Sequence, residues 1–506
     1  MSESKNNKKI FPLSAILFCS VFVFTFLSLL FIPTNFQTAQ AATRTWTGAS
    51  SNLWNVDANW GGTKPSAGDD LVFPSSASNK STSNDFAADT SFNSITIQGT
   101  GYTLAGNRIT LGAGGITQTT GTNTISLAIV LGANVIINVA SVLNLSGIIS
   151  ESGGARSIST TSTTLISFSG ANTFTGGLTI KSGEVELITS TSSGGGSGTG
   201  AITIGDASGT ATATLRVAVA IANPITIASG SSGIKTINVS ANRTMSGAIV
   251  LADNLTLSAP GTGTLTITGG ITGTGNIITS AASSGGFSLS TTAINHTGTI
   301  TNSGTGTGTT TISAVIGTNV TGVVQNSATS KLTLSGANTF TSGLTIKAGT
   351  VRSQASNKAL GADSSVVTIG DSSGTANATL DCGGGTTLTH ANPVVIASGS
   401  SGVLSIGNFG TANVFTGGIT LSNNVTLYGY SASLSITGGI TGTGNVTIGN
   451  IAGGITTLST TSINHVGTIT NSGRGTGTTT ISAVIGTNVT GVIQNSATSP
   501  LILSGA

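Results

Sequence analysis

Short runs in which apolar and polar residues alternate recur along almost the whole chain. Leu344 and Ile346 alternate with Thr345 and Lys347, the period of a half-buried strand. The same reading predicts strands at Leu178–Ile180, Ile202–Ile204, Ile225–Ile227, Leu265–Ile267 and Thr310–Ile312. Between them lie Gly, Asn, Ser and Thr, the residues of turns. Ahead of Leu344, the residues Ser335, Gly336, Ala337 and Asn338, then Ser342 and Gly343, supply turn chemistry. Gly takes positive φ freely, and Asn tolerates it better than other residues. After the first 41 residues no segment keeps a 3.6-residue apolar period with caps, so essentially no helix is predicted there.

The runs are copies of one another. FSGANTFTGGLTIKSGEV at 168–185 returns as LSGANTFTSGLTIKAGTV at 334–351, and 503–506 begins a third. Residues 267–271, 294–296 and 312–317 return at 436–440, 463–465 and 481–486, each shifted by 169. Phe168 to Leu334 is 166, so small insertions have accumulated in loops. Shorter echoes sit inside the unit: 413–418 repeats the theme of 172–177. The expected organisation is a signal peptide at 1–41, an N-terminal cap with first coils at 42–100, and regular coils at 101–167. Long units follow at 168–333 and 334–502, then the start of a truncated third at 503–506.

A strand of three residues cannot bury its apolar side alone. Stacking coils about 4.8 Å apart pairs every strand and makes a continuous core. The expected fold is therefore all-β, a parallel β-helix (β-solenoid), with Ser, Thr and Asn forming ladders along the stack. A string of β-sandwich domains would need longer, more evenly spaced strands and more core aromatics.

LSGANTFTSGLTIKAGTV and its copy resemble the autotransporter-associated β-strand repeat, a passenger-associated repeat of secreted bacterial surface proteins. WTGASSNLWNVDANWGGTKPSAGDDLVF at 46–73 resembles the entry segment of large proteins that bear it. The resemblance implies an exported β-helical passenger, adhesive or structural, and carries over no catalytic residue. Autotransporters end in a membrane β-barrel that this chain lacks, which is the reason for expecting a truncated product with a missing C-terminal anchor.

The leader fits export. Lys5, Lys8 and Lys9 precede a strongly apolar stretch at 14–32, and Ala39, Gln40 and Ala41 form a small–x–small cleavage site before Ala42. The alternative is an uncleaved anchor, since the stretch is long enough to span a bilayer. Phe18 is too bulky for lipoprotein cleavage at Cys19. All three tryptophans, Trp46, Trp54 and Trp60, follow the leader. They are read as the N-terminal cap of a solenoid end, with a carbohydrate-binding aromatic platform as the alternative.

Charge excludes more than it suggests. Charged residues are only 6 % of the chain, against about a quarter in ordinary domains. Removing the leader with Lys5, Lys8, Lys9 and Glu3 reduces the formal charge of +3 to +1. No basic stripe with interleaved aromatics is present, so nucleic acid is excluded as a partner. Cys382 is the lone mature cysteine and makes no internal disulfide.

The few ionisable groups carry whatever candidate chemistry the chain has. Asp69 and Asp70 are adjacent and point to opposite faces of a strand. Glu184 and Glu186 share a face, read as solvated. Asp206 and Asp371 each follow Ile-Gly in a Gly/Ser turn, read as Asx-turns rather than cation sites. His296 and His465 are repeat equivalents too far apart to share a metal, read as hydrogen-bonded strand-end histidines. Asp381 and Cys382 stand where the earlier copy has Arg216 and Val217, read as a tolerant surface or edge position. His390 lies near Cys382 without a third group to orient a nucleophile. No catalytic, cofactor or metal residue is assigned, and no cofactor is expected. The expectation is a secreted or cell-surface protein, outer membrane or extracellular, an adhesin or spacer. Its partners would be surface glycans or a host or neighbouring cell, with membrane contact only through the signal peptide or the missing anchor. The alternative is a polysaccharide-active β-helix enzyme.

Overall fold

The computed structural model describes residues 41–188 and 195–505. The signal-peptide expectation for 1–41 lies outside them apart from Ala41. From Thr43 onward the short Ile-, Val-, Leu- and Thr-rich segments form strands of mostly three to five residues. Each finds its hydrogen bonds in the strands one turn before and one turn after it, and every pairing is parallel.

Two successive turns show the plan. Asn123–Ile125, Ile129–Leu131 and Val135–Val139 lie on faces one, two and three of one turn. Leu143–Leu145, Ile149–Glu151 and Ile158–Ser162 take the same three faces of the next. Leu143 stands opposite Asn123, Ile149 opposite Ile129, and Ile158 opposite Val135. The pattern continues for about 19 turns. The chain is an all-β parallel β-solenoid. Among the described residues the only helical segments are two single 3₁₀ turns, Asp57–Trp60 and Gly195–Ser197.

The period-2 alternation sets what is inside. Leu344 and Ile346 are fully buried, while Thr345 and Lys347 are half-buried on the outer side. The inverse register would have placed the Lys347 ammonium in the core. The buried positions merge into one apolar core running from Trp46 to Ala483. Corners between faces are tight. Gly183 (φ 75°) and Gly349 (φ 76°) make equivalent corners. A Cβ at Gly349 would lie 1.9 Å from the Ser327 carbonyl oxygen, so only glycine fits there.

The two long units match strand for strand but do not share faces. Leu178 lies on face three, between Ile158 and Ile202. Leu344, its counterpart, lies on face one, between Val323 and Val367. The face-three column climbs from Leu178 through Ile202, Ile225, Ile249, Ile271, Ile294 and Ile316 to Thr339, seven turns in all. Leu344 comes one face later. The long repeat thus spans seven and one-third turns, about 35 Å at ~4.8 Å per turn, and its second copy is rotated by one face about the axis. Strand Leu344–Ser353 itself rounds a corner: Leu344–Ile346 pair along face one, and Gly349–Ser353 along face two.

Candidate functional site

The shared motif is built around one asparagine. Asn172 Oδ1 accepts from the Ile149 amide at 2.7 Å, one turn back, and its Nδ2 donates to the Gly196 carbonyl at 2.6 Å, one turn on. Asn338 does the same with the Ile316 amide, 2.8 Å, and the Ala359 carbonyl, 2.7 Å. Each is buried and staples three consecutive turns. The sequence reading gave Asn338 a turn role through tolerance of positive φ, but its φ is not positive. The side chain does the work instead, satisfying backbone groups that a short corner leaves without partners. Two residues on, Phe174 and Phe340 fill the core beside them.

Polar ladders also run inside the stack. Asn302 Nδ2 donates to Gln325 Oε1 at 2.8 Å, and Thr279 and Thr310 hydroxyls donate towards it from neighbouring strands. Asn471, Gln494 and Thr479 repeat the arrangement. On the outer corners Asn254 accepts from the Asn276 amide, and Asn276 from the Thr299 amide.

The carboxylates do not converge. Asp69 is held by Arg44 at 3.0 Å, whereas Asp70 accepts from Asn93 and Ser94 on the next turn. Glu184 and Glu186 share an outer face, as expected, and both lean on Arg216 of the following turn, at 3.8 and 3.2 Å. Asp206 and Asp371 accept from the next amide, those of Ala207 and Ser372, both at 2.8 Å, one residue on where the expected Asx-turn reaches two residues on. Each also pairs with a lysine of the previous turn, Lys181 at 3.4 Å and Lys347 at 3.5 Å. Among the described residues no three His, Cys, Asp or Glu side chains gather as metal ligands would.

The histidines are interior. His296 and His465 are buried, with Nε2 3.4 Å from the Thr299 and Thr468 carbonyls. Burial pushes both below the ordinary histidine range, so they are neutral.

Asp381 and Cys382 correct the sequence reading. They are not at a tolerant surface: Cys382 is fully buried and Asp381 is 5 % exposed. Val217, the counterpart of Cys382, is buried too, so the exchange is one small apolar side chain for another. Asp381 takes Arg352 at 2.5 Å, yet burial still pushes its carboxyl above the usual range. A third group beside His390, missed in the sequence, is Ser353. Its Oγ lies 3.1 Å from His390 Nε2, and it stands opposite Cys382 in the strand register. The trio has the composition of a nucleophilic site without its chemistry. Burial pushes the thiol up to about 12 and the imidazole down to about 4, so the thiol keeps its proton and the imidazole is too weak a base to take it. All three are sealed in the core.

The tryptophans are also sealed. Trp46 and Trp54 are fully buried and Trp60 is 5 % exposed, packed on Phe73, with Trp46 and Trp60 edge to face at 5.1 Å. That burial removes the exposed aromatic platform considered as an alternative. Aromatics do reach the surface elsewhere. Phe409 and Tyr430, on successive turns, stack at 4.5 Å, with the Arg352 guanidinium 5.3 Å above Phe409.

The passenger-associated-transport-repeat model matches residues 162–187 and 329–352. Two segments of the chain are thus similar to the passenger-associated transport repeat. Each match covers little more than one turn of the solenoid, and each contains the stapling asparagine, Asn172 or Asn338. The first passenger repeat starts from face three and runs round to face one; the second runs from face two round to face two again. No curated protein and no solved structure matches the chain.

Proposed function

We propose that the chain is an exported passenger-type protein of the bacterial surface or extracellular space, an adhesin or structural spacer without catalysis. The observation that carries this reading is the stack of about 19 turns on which, among the described residues, no three His, Cys, Asp or Glu side chains gather. Passenger-associated repeats on a β-solenoid fit a passenger domain. Such a body offers a long Thr-, Ser- and Asn-rich surface, on which many weak contacts with glycans or a neighbouring cell add up. The buried cluster of Trp46, Trp54, Trp60 and Phe73 covers the first turns as a cap, since an open solenoid end exposes core. Nucleic acid is not a partner. The secreted form begins at Ala42, and N-terminal sequencing that finds Met1 instead speaks for a membrane anchor.

The test pairs adhesion with turnover. Beads coated with the chain from Ala42 onward should adhere to glycan-bearing surfaces, or, for a spacer, intact cells should yield the chain to added protease. Robust polysaccharide turnover that disappears when one acidic residue is replaced overturns the non-enzymatic reading.

A further inference from the structure

Charged residues at inward positions are few, and one begins a strand on face two. In Arg243–Met245 the first residue is in register with Leu265 and then Phe287, both buried. Arg243 therefore starts from a core-facing position, and its guanidinium turns outward into a cleft. Nη1 donates to the Asn242 carbonyl at 2.7 Å, while Nε is buried with no acceptor. The described residues offer it no carboxylate. Lys235, one face earlier on the same turn, shows what the fold does with a buried cation that it neutralises itself. Its Nζ lies 2.6 Å from Asp253 and also donates to the Ser231 carbonyl. An arginine half-withdrawn from water without a counter-ion is costly. The solenoid does not need it: the matching strand of the second copy, Asn413–Phe415, begins with a buried asparagine that donates to three neighbouring oxygens.

The cleft has a volume of about 700 Å³, within the usual range for a small-molecule site. Besides Arg243 it is lined by the apolar Ile188, Ala218, Val219 and Ala220 and by the polar Asn242, Thr244, Thr264 and Thr266. An arginine fork takes a carboxylate in two parallel hydrogen bonds. Hydroxyls and an amide lining the same cleft suit a polyhydroxylated ring, and Val219 and the alanines suit its carbon-bound hydrogens. We infer that this cleft binds an acidic saccharide, with the carboxylate of a uronic acid residue on Arg243 and ring hydroxyls on Asn242 and the threonines. The site goes beyond the adhesive reading and stands on its own geometry.

The test is calorimetric titration of the chain from Ala42 onward with oligogalacturonate, its carboxyl-reduced neutral counterpart, and sodium sulfate. Oligogalacturonate should bind and the neutral counterpart should bind at least tenfold more weakly. Arg243→Asn should weaken oligogalacturonate roughly 10- to 100-fold, the worth of a charge-assisted pair, and Arg243→Lys should recover part of the loss. Thr266→Val, which leaves the arginine in place, should weaken it severalfold and guards against a folding defect in the arginine variants. Equal binding of the acidic and neutral oligosaccharides, no binding of either, or unchanged binding by Arg243→Asn overturns the assignment. Sulfate that competes as well as the oligosaccharide reduces the cleft to a plain anion site and also overturns it.

Discussion

The two long units keep the same backbone while exchanging its charges. In the first, Glu186 on one turn pairs with Arg216 on the next at 3.2 Å. At the matching positions of the second, Arg352 pairs with Asp381 at 2.5 Å: the pair survives with its signs reversed. The buried Lys235 pairs with the half-buried Asp253 in the first unit. Their counterparts are Leu404 and Asn423, and Asn423 Nδ2 donates to the Ser400 carbonyl at 2.6 Å, replacing the lysine's bond to Ser231. Ile221, bridged to Met245, becomes His390, paired with Phe415. The difference teaches that stacking constrains pairs across turns more than single residues. In these pairs a charge changes sign or disappears together with its neighbour one turn away.

The largest expected effect tests whether the copies are energetically alike despite lying on different faces. Ile180→Asp and Ile346→Asp should each destabilise their turns by roughly 4 kcal/mol, through a buried carboxylate without a partner. Damage should spread to adjacent turns and fade with distance. Site-resolved hydrogen exchange measures this, and a clear inequality between the two variants breaks the equivalence. Next is the Lys235–Asp253 pair. Asp253→Asn alone strands Lys235 and should destabilise by about 3 kcal/mol. Adding Lys235→Leu, which recreates the second unit, should restore stability to within ~1 kcal/mol. A double variant no better than the single one would mean that the two units solve the position differently.

Acid should separate the copies. Burial holds His390 down at about 4, below the ~6.5 of an unfolded histidine. The unfolded chain therefore takes up the proton first, so stability is full above pH ~6.5 and is lost as pH falls towards 4. At pH 5 the loss at this site is about 2 kcal/mol. Asp381, pushed upward by burial, acts in the opposite sense at the acid end. Limited proteolysis at pH 5 should open the turns around His390 before those around Ile221, and His390→Ile should remove the difference. The smallest effect is outside. Lys347→Asp and Lys181→Asp each break a half-exposed pair with Asp371 or Asp206 and should cost about 0.5 kcal/mol or less. Melting curves that shift much more would place those lysines in a network rather than at a surface.

The alternation of Leu344 and Ile346 with Thr345 and Lys347 carried the strand, its register and the solenoid, because a period of two on a short strand has only one reading that spares Lys347 from burial. The rotation between units was not legible. All three faces use the same Thr- and Ile-rich strands, so a repeat read along the line is blind to which face it lands on. Cys382 and His390 misled for a related reason. Ser353 lies 37 residues from His390, and what brings them together is the pitch of the coil, which no local pattern records. Arg243 was the opposite case. Two before the buried Met245, it falls on the inward side by the alternation itself, and its opposition to Leu265 places it at the start of a core column.

The one-third turn has a consequence for anything fastened to this body. Had duplication copied a whole number of turns, every copy would present its decoration on one flank, and the rod would have a front and a back. With seven and one-third turns, each copy looks out 120° from the last, about 35 Å further along at ~4.8 Å per turn. Counterpart features such as the Lys181–Asp206 and Lys347–Asp371 pairs therefore wind around the axis like the stripe on a barber's pole. Growth by this unit produces a fibre that can meet a partner from any bearing.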